Sequence, residues 1–285
     1  MKNKKLFIAK IFDLLCLNNL MLLITNTLLR KRYIRVINYH DTPKDFHKIF
    51  ESHLKFYKKN FTPISLENLE NIIKNKLFDF DKPGLIITFD DGMKSNFDIA
   101  DLIKKYNFKG IFFVPAGFVG LKDCDAKQFM KSNRIFSFED INTLENIAMT
   151  WDDLKKLEKD HFIGCHTFSH HRMNIDDSSE ILEHEIIASK NLLETKLKNE
   201  INAFCWVGGE ENTYTNIAAK YIYNNYRLSF MTNTNPITTR TDPYQIQRTN
   251  IEANYPIHLL KFQLSGFMDF LYLGKRKRVE KVTSL

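Results

Sequence analysis

Four side chains in two short segments have the types and spacing to do metal chemistry. Asp90 and Asp91 stand side by side before Gly92, at the end of the apolar run Gly84–Phe89. His166 and His170 lie four residues apart, again just after an apolar run, Phe162–Cys165. Two imidazoles and one carboxylate form a facial set that holds a divalent cation and leaves coordination positions open. A cation held this way lowers the pKa of a water toward neutrality and so yields a nucleophile. The remaining carboxylate is then free to act as general base. Spacing alone leaves open which aspartate takes which role. Either motif by itself has a commonplace reading: Asp-Asp-Gly as an ordinary turn, His-x-x-x-His as an incidental pair. Both at strand C-termini is a different matter, because (β/α) barrels build their sites on that rim.

The elements that must position these groups follow from the pattern of apolar residues. After residue 35, short β-rich runs alternate with helical periodicity, as a (β/α) architecture requires. Strands are predicted over Arg35–Tyr39, Gly84–Phe89, Gly110–Val114, Phe162–Cys165, Ala203–Val207, Leu228–Met231 and Gln245–Arg248. Helices are predicted over Asp45–Lys59, Ser65–Lys76 (with Ser65 as the cap), Ser95–Tyr106, Trp151–Lys159 and Ser178–Lys198. In the last of these, Ile181, Ile186, Leu192, Leu193 and Leu197 are expected to face inward. Residues 117–150 read as a long irregular excursion over one rim, the usual place for substrate specificity. About seven strands separated by helices predict a closed or nearly closed barrel in one domain.

The motifs resemble those of a known family. TFDDG (88–92) and HTFSH (166–170) are similar to the first and second motifs of the polysaccharide deacetylases, the NodB-homology domain of carbohydrate esterase family 4. Val36–Asp41 resembles that family's opening Tyr-His strand, residues 149–170 its run into the second motif, and residues 180–204 the helix beyond it. The resemblance spans about residues 35–250. It implies an α/β fold, a distorted (β/α)7 barrel, that hydrolyses N-acetyl and less often O-acetyl groups on sugars. It further implies that Asp91, His166 and His170 bind the metal, usually zinc, and that Asp90 activates water. A backbone N–H of the third motif would help to stabilise the oxyanion.

Three departures from the family pattern matter. The third motif's usual Arg and Pro are missing from Phe204-Cys205-Trp206-Val207-Gly208-Gly209. Gly208 can still let the backbone approach an acyl oxygen, and Arg248 is the candidate for the cation that orients Asp90. The family's Leu-x-His general acid has no clear counterpart, and His258 is the nearest by position. His40, ending the first strand, is assigned to the rim, for substrate binding or proton transfer. His161 and His171 read as structural or exposed, and Trp151 and Trp206 as packing residues. A catalytically silent glycan-binding protein on the same fold, or a hydrolase of a non-sugar amide, is the alternative.

Charge sets the boundaries of the chain's parts. The net charge of +7 is carried by residues 1–35, which hold eight bases against one acid (Asp13). Residues 275–281 add five bases to one acid, so the body between is mildly acidic. Two basic ends on an acidic globule argue against a nucleic-acid-binding face. Residues 1–34 are expected to form an apolar, basic helical segment, residues 35–274 the catalytic domain and residues 275–285 a basic tail. The uncharged stretch 14–29 is short for a membrane span. The segment is expected to fold as two short helices broken near Asn18-Asn19, either packed on the domain or lying peripherally on a membrane. A true span is the third reading. There the cluster Arg30-Lys31-Arg32 with Arg35, outweighing Lys2, Lys4 and Lys5, would leave the body cytoplasmic. The peripheral reading puts it on the same side, at the inner face. Four dispersed cysteines without a C-x-x-C pair fit a reducing compartment. The expected substrate is an acetylated sugar of a surface or lipid-linked glycan.

Overall fold

The computed structural model describes residues 2–285, with the side chains of Lys2 and Asn3 outside the described part. The basic head's Lys2 is therefore not placed. Two helices open the chain, α1 (Lys2–Leu14) and α2 (Leu17–Leu28). The strands are β1 (Ile34–Tyr39), β2 (Thr62–Pro63), β3 (Gly84–Phe89), β4 (Gly110–Val114), β5 (Phe162–Cys165), β6 (Ala203–Cys205), β7 (Leu228–Met231), β8 (Ile246–Gln247) and β9 (Thr249–Asn250). Between them run α3 (His47–Asn60), α4 (Leu66–Asn75), α5 (Lys94–Asp98), α6 (Ala100–Lys105), α7 (Asp123–Asn133), α8 (Trp151–Leu157), α9 (Ser179–Leu182), α10 (Ser189–Leu197) and α11 (Asn216–Asn225). After the last strand come α12 (Ile257–Leu264), α13 (Phe267–Leu271) and α14 (Leu273–Thr283).

All strand pairs are parallel, in the order β8-β7-β6-β5-β4-β3-β1-β9, with β2 beside β3. The two ends of this ladder are halves of one stretch of chain. β8 pairs with β7, β9 pairs with β1, and Arg248 alone separates them. That stretch curls the sheet into a nearly closed barrel, the distorted (β/α)7 type.

Alternation along the strands divides the core. Ile34 and Val36 of β1, Ile86 of β3, Phe113 of β4 and Phe230 of β7 fill the barrel interior. Their neighbours Ile37, Ile87, Phe89 and Phe112 pack outward under the helices. α4 closes the floor with Leu66 and Leu69, its first turn capped by Ser65 Oγ, which accepts from the Asn68 N–H (3.2 Å). Toward the C-terminal ends of the strands the interior turns polar: Asn38, Thr88, Asp90 and Arg248 are all buried there. Gly164 of β5 is required by this packing, since a Cβ would run into the Phe113 ring.

Several predicted elements differ in detail. The 117–150 excursion is not wholly irregular, because α7 lies within it. Ala126 and Met130, four apart, bury one face, and Asp123 and Asp125 favour its N-terminal turn. The predicted helix 95–106 is broken at Ile99 into α5 and α6. The long helix 178–198 contains a π-helical stretch, Glu183–Ala188, and Ile181 is exposed rather than inward. The inward position of the first turn is Leu182, from which Ile186, Leu193 and Leu197 continue the buried stripe.

The head does fold as two helices, bent by 80°. The break falls at Leu15-Cys16, where Cys16 adopts φ +56. Asn18 is instead buried and donates to the His258 carbonyl (3.5 Å). No single helix among the described residues is long and apolar enough to cross a membrane. Arg35 does not belong to an exposed basic cluster. It is fully buried and pairs through both Nη atoms with Asp269 of α13 (2.7 Å each). Residues 275–283 lie in α14, where Arg276 is buried and donates to the Thr234 carbonyl (2.8 Å).

Candidate active site

β3 ends in a turn that sends its two carboxylates apart. The Asp90 N–H still bonds to the Tyr39 carbonyl (2.9 Å), so Asp90 continues the strand and faces the barrel interior. Asp91 and Gly92 both adopt left-handed φ values, +74 and +70. Asp is among the few residues that accept this conformation. The second motif is built on the same device, with Thr167 at φ +64 and His170 at φ +59. A β-branched residue there is strained, and the surroundings hold it. Ser189 Oγ donates to the Thr167 carbonyl (2.8 Å) and the His171 N–H to Thr167 Oγ1 (2.9 Å). Beneath the turn, Glu185 of the π-helical stretch accepts from the Phe168 and Ser169 amides (2.9 Å each) and from Ser169 Oγ (2.7 Å).

Each site histidine is oriented by its second nitrogen. His166 Nδ1 donates to the Cys205 carbonyl (2.9 Å) and His170 Nδ1 to the Asn133 carbonyl at the end of α7 (2.7 Å). That leaves both Nε2 atoms as lone-pair donors aimed at Asp91 Oδ1, at 3.5 and 3.1 Å. Asp91 Oδ1 is buried with no hydrogen-bond partner. A buried orphan acceptor beside two converging imidazole nitrogens, all three atoms within 4.8 Å of one another, fits a divalent cation. Burial alone would raise the Asp91 pKa, but the interaction with the adjacent His170, and then with His166 and His40, overrides it and holds the carboxyl well below its usual range. A second grouping, Asp90, His166 and Cys205, is equally compact. It fits less well, because burial keeps the Cys205 thiol protonated and Asp90 is already engaged.

Asp90 is clamped by Arg248. Nη1 and Nη2 of the guanidinium reach its two oxygens at 2.6 and 2.8 Å, with Nη1 also donating to Thr88 Oγ1 (3.0 Å). Burial pushes Asp90 upward, yet the Arg248 charge outweighs it and the carboxyl is lowered. Both partners are buried, where an Arg is tolerated only when so paired. Asp90 is thus ionised and held in one orientation.

His40 lies across from Asp90, its Nε2 4.0 Å from Oδ2, with its side chain 27% exposed to the pocket. Its Nδ1 bonds to Glu252 Oε1 (3.1 Å). Burial disfavours its charge, but the Glu252 carboxylate and hydrogen bond, with Asp91 and Asp90 behind, push its pKa up to about 10. Glu252 was not singled out in the sequence. Its signal is only that it lies four residues after Arg248, just past β9, in a stretch without a motif.

These groups share a cavity of about 370 Å³, lined also by Arg134, Phe136, Trp206 and Lys275. Gly208 lines it at φ +83. The Gly209 N–H donates to Glu210 Oε2 (3.1 Å), whereas the Gly208 N–H has no partner among the described residues. Of the site residues named from the sequence, His258 alone is not brought in. It sits in the first turn of α12, beside the head, and does not line the cavity. The apolar stretch IHLL placed it on a helix whose packing faces the head, and not on the rim. His161 is structural, accepting from the Gly110 N–H (3.1 Å), and His171 pairs with Asp177.

The family model for polysaccharide deacetylase matches residues 79–226, just over half of the chain. The chain belongs to the polysaccharide deacetylase family. Its reaction class is that of a carbohydrate deacetylase acting on an acetylated glycan. No curated protein matches the sequence. Among solved structures, the fold is similar to the Streptococcus pyogenes deacetylase PplD in complex with acetate, at 20% identity and a TM-score of 0.62, over 80% of this chain and 97% of that one. It is also similar to a de-N-acetylase from Aggregatibacter actinomycetemcomitans (15% identity, TM-score 0.62, 81% and 99% covered). IcaB from Ammonifex degensii is a third such structure (16% identity, TM-score 0.58, 84% and 97% covered). At these identities the likeness is one of fold. This deacetylase shares their architecture, and its own site residues carry the functional argument.

Proposed function

We propose that this polysaccharide deacetylase removes an N-acetyl group from a sugar of a surface glycan or its lipid-linked precursor, with zinc as its divalent cation. In this reading the protein acts on the cytoplasmic side, at the inner face of the membrane. The observation that carries the metal-dependent reading is the orphaned Asp91 Oδ1 with two imidazole Nε2 atoms converging on it.

Asp91, His166 and His170 would hold the cation, which when bound supplies Lewis acidity to water and to the amide carbonyl. The other residues handle protons and orientation. Asp90, fixed by Arg248, accepts a proton from the attacking water, and the clamp keeps its oxygens from rotating away. The free Gly208 N–H offers a donor to the acyl oxygen as it gains charge. His40, held protonated by Glu252, donates its proton to the departing sugar nitrogen. The C–N bond breaks, and acetate and the amine leave. His40 takes the acid role for which His258 had stood, because it alone of the two reaches the cavity.

Arg248 also weakens the rival reading of a silent glycan-binding protein, whose support was the absent third-motif arginine. The test is acetate release from N-acetylhexosamine-containing oligosaccharides and glycolipids after chelation and after zinc restoration. Asp90→Asn should retain stoichiometric metal while turnover falls by about 10²–10⁴-fold. His166→Ala or His170→Ala should lose the metal as well. Full activity in Asp90→Asn, or acetate release undiminished by chelation, would remove the reading. Hydrolysis of cyclic imides in place of acetylated sugars would replace it with the non-sugar amidase.

A further inference from the structure

The apolar surface that the protein leaves bare is concentrated in one place. Ten of the 22 large hydrophobic side chains exposed among the described residues fall in the head, nine on α1 and α2 and Leu15 at the break between them, and three more fall at residues 270–273. Phe7, Leu14, Leu15, Leu23 and Leu28 are between 62% and 75% exposed, and Phe270 and Leu271 of α13 are 67% and 62% exposed. Monomeric proteins rarely leave so much apolar surface together without a use for it.

These elements form one unit. Phe12 packs against Phe262 and Phe267, at 5.0 and 5.1 Å between ring centroids. Thr25 Oγ1 donates to the Ser265 carbonyl (3.3 Å), and a Cβ at Gly266 would run into Thr25. The acid inside the head, Asp13, is neutralised by Lys261 of α12 (3.2 Å). Exposed Lys4, Lys10, Arg30, Lys31 and Arg32 flank the apolar side chains. Apolar residues with basic neighbours, on two helices neither of which is long and apolar enough to cross alone, match an anionic bilayer surface in both hydrophobicity and charge.

The unit is also tied to the catalytic cavity. Arg35 of β1 holds Asp269 of α13 by the buried bidentate pair, so α13 cannot drift from the barrel. The next residues along the chain, Tyr272 and Lys275, line the cavity itself. We infer that α1, α2 and α13 form a single seat on an anionic membrane, and that α13 sets the cavity mouth at the headgroups, where a lipid-carried substrate is presented. Only the substrate clause rests on the deacetylase reading. The seat stands on exposure and charge.

The test is flotation of the full chain with vesicles of phosphatidylglycerol and phosphatidylcholine, compared with phosphatidylcholine alone. The expected result is flotation with the anionic vesicles, reduced by high salt. Phe270→Ser combined with Leu271→Ser should lower binding by about 100-fold, because two large apolar contacts are lost. Acetate release from a soluble acetylated oligosaccharide should stay unchanged, since both side chains are exposed and neither lines the cavity. Binding that ignores the α13 changes overturns the single-seat inference. So does an absence of flotation, or a concentration-dependent dimer that buries the face in place of lipid. Flotation without acetate release from any acetylated sugar would refute the deacetylase reading and leave the seat standing. Acetate release without flotation would do the reverse.

Discussion

Asp90 illustrates how a residue's chemistry is set by what touches it. Its neighbour Asp91 has the same side chain and comparable burial, yet faces two imidazole nitrogens, while Asp90 faces a guanidinium. One turn in left-handed φ sends the two carboxylates to different partners. Removing the guanidinium should therefore act on Asp90 and spare the metal. In Arg248→Gln the charge that lowers the Asp90 pKa is gone, so that pKa rises and the acid limb of the pH–rate profile moves to higher pH. Metal content should stay at the wild-type value. The protein should also lose about 3–5 kcal/mol of stability, since a buried carboxylate is left unpaired. An unmoved acid limb with unchanged turnover would place Arg248 outside the catalytic machinery.

The π-helical stretch shows the same logic for an element. A regular helix from Ser178 to Lys198 would bury its apolar stripe more evenly. The wider turn instead places a buried carboxylate, Glu185, directly under the loop that carries His170. Three hydrogen bonds from that loop end on Glu185, so it positions the histidine without touching it. Glu185→Gln keeps the volume but loses the charge that strengthens these bonds. Metal affinity, measured by competition with a chromophoric chelator, should fall by about 10–100-fold. Turnover at saturating metal should fall far less. Equal affinity in the variant would reduce Glu185 to a packing role.

For the whole molecule, the base of the site is a core in which polar groups are buried and satisfied. His53 of α3 is fully buried, with Nδ1 on the Tyr39 hydroxyl (3.0 Å) and Nε2 on the Tyr255 carbonyl (2.7 Å). It ties α3 to β1 and to the loop that follows Glu252. Burial pushes its pKa down from 6.5 to about 4, against the partial compensation of the Tyr255 hydrogen bond. Because the folded state binds this proton less readily, its contribution to stability is complete above pH 6.5 and is lost as pH falls toward 4. The loss amounts to about 3 kcal/mol. Denaturant unfolding of the wild type at pH 7 and pH 4.5 should show this slope, and His53→Gln should flatten it. An equal slope in both proteins would assign the pH dependence to other groups.

Local pattern was sufficient for much of this. Strands β3, β4, β5 and β7 lie at the predicted residues, because continuous apolar runs between turn signals leave few other choices. The histidine pair His166 and His170 and the Asp90-Asp91 step stood out because each is a short-range arrangement of rare types, and the structure brings all four into one cavity. What the sequence could not supply were contacts between distant residues. The sequence names Arg248 as the cation for Asp90 only as a substitute for the missing third-motif arginine. The contact itself, across 158 positions, comes from β8 and β9 closing the barrel, which no local pattern records. Glu252 reaches His40 across 212 positions by the same route, which moved the acid role away from His258. The carbonyl of Asn133 orients His170 only because α7 folds back over the rim. Chain connectivity and side-chain type determine which groups are available. Closing the barrel decides which of them meet, since burial fixes partners that lie far apart along the chain.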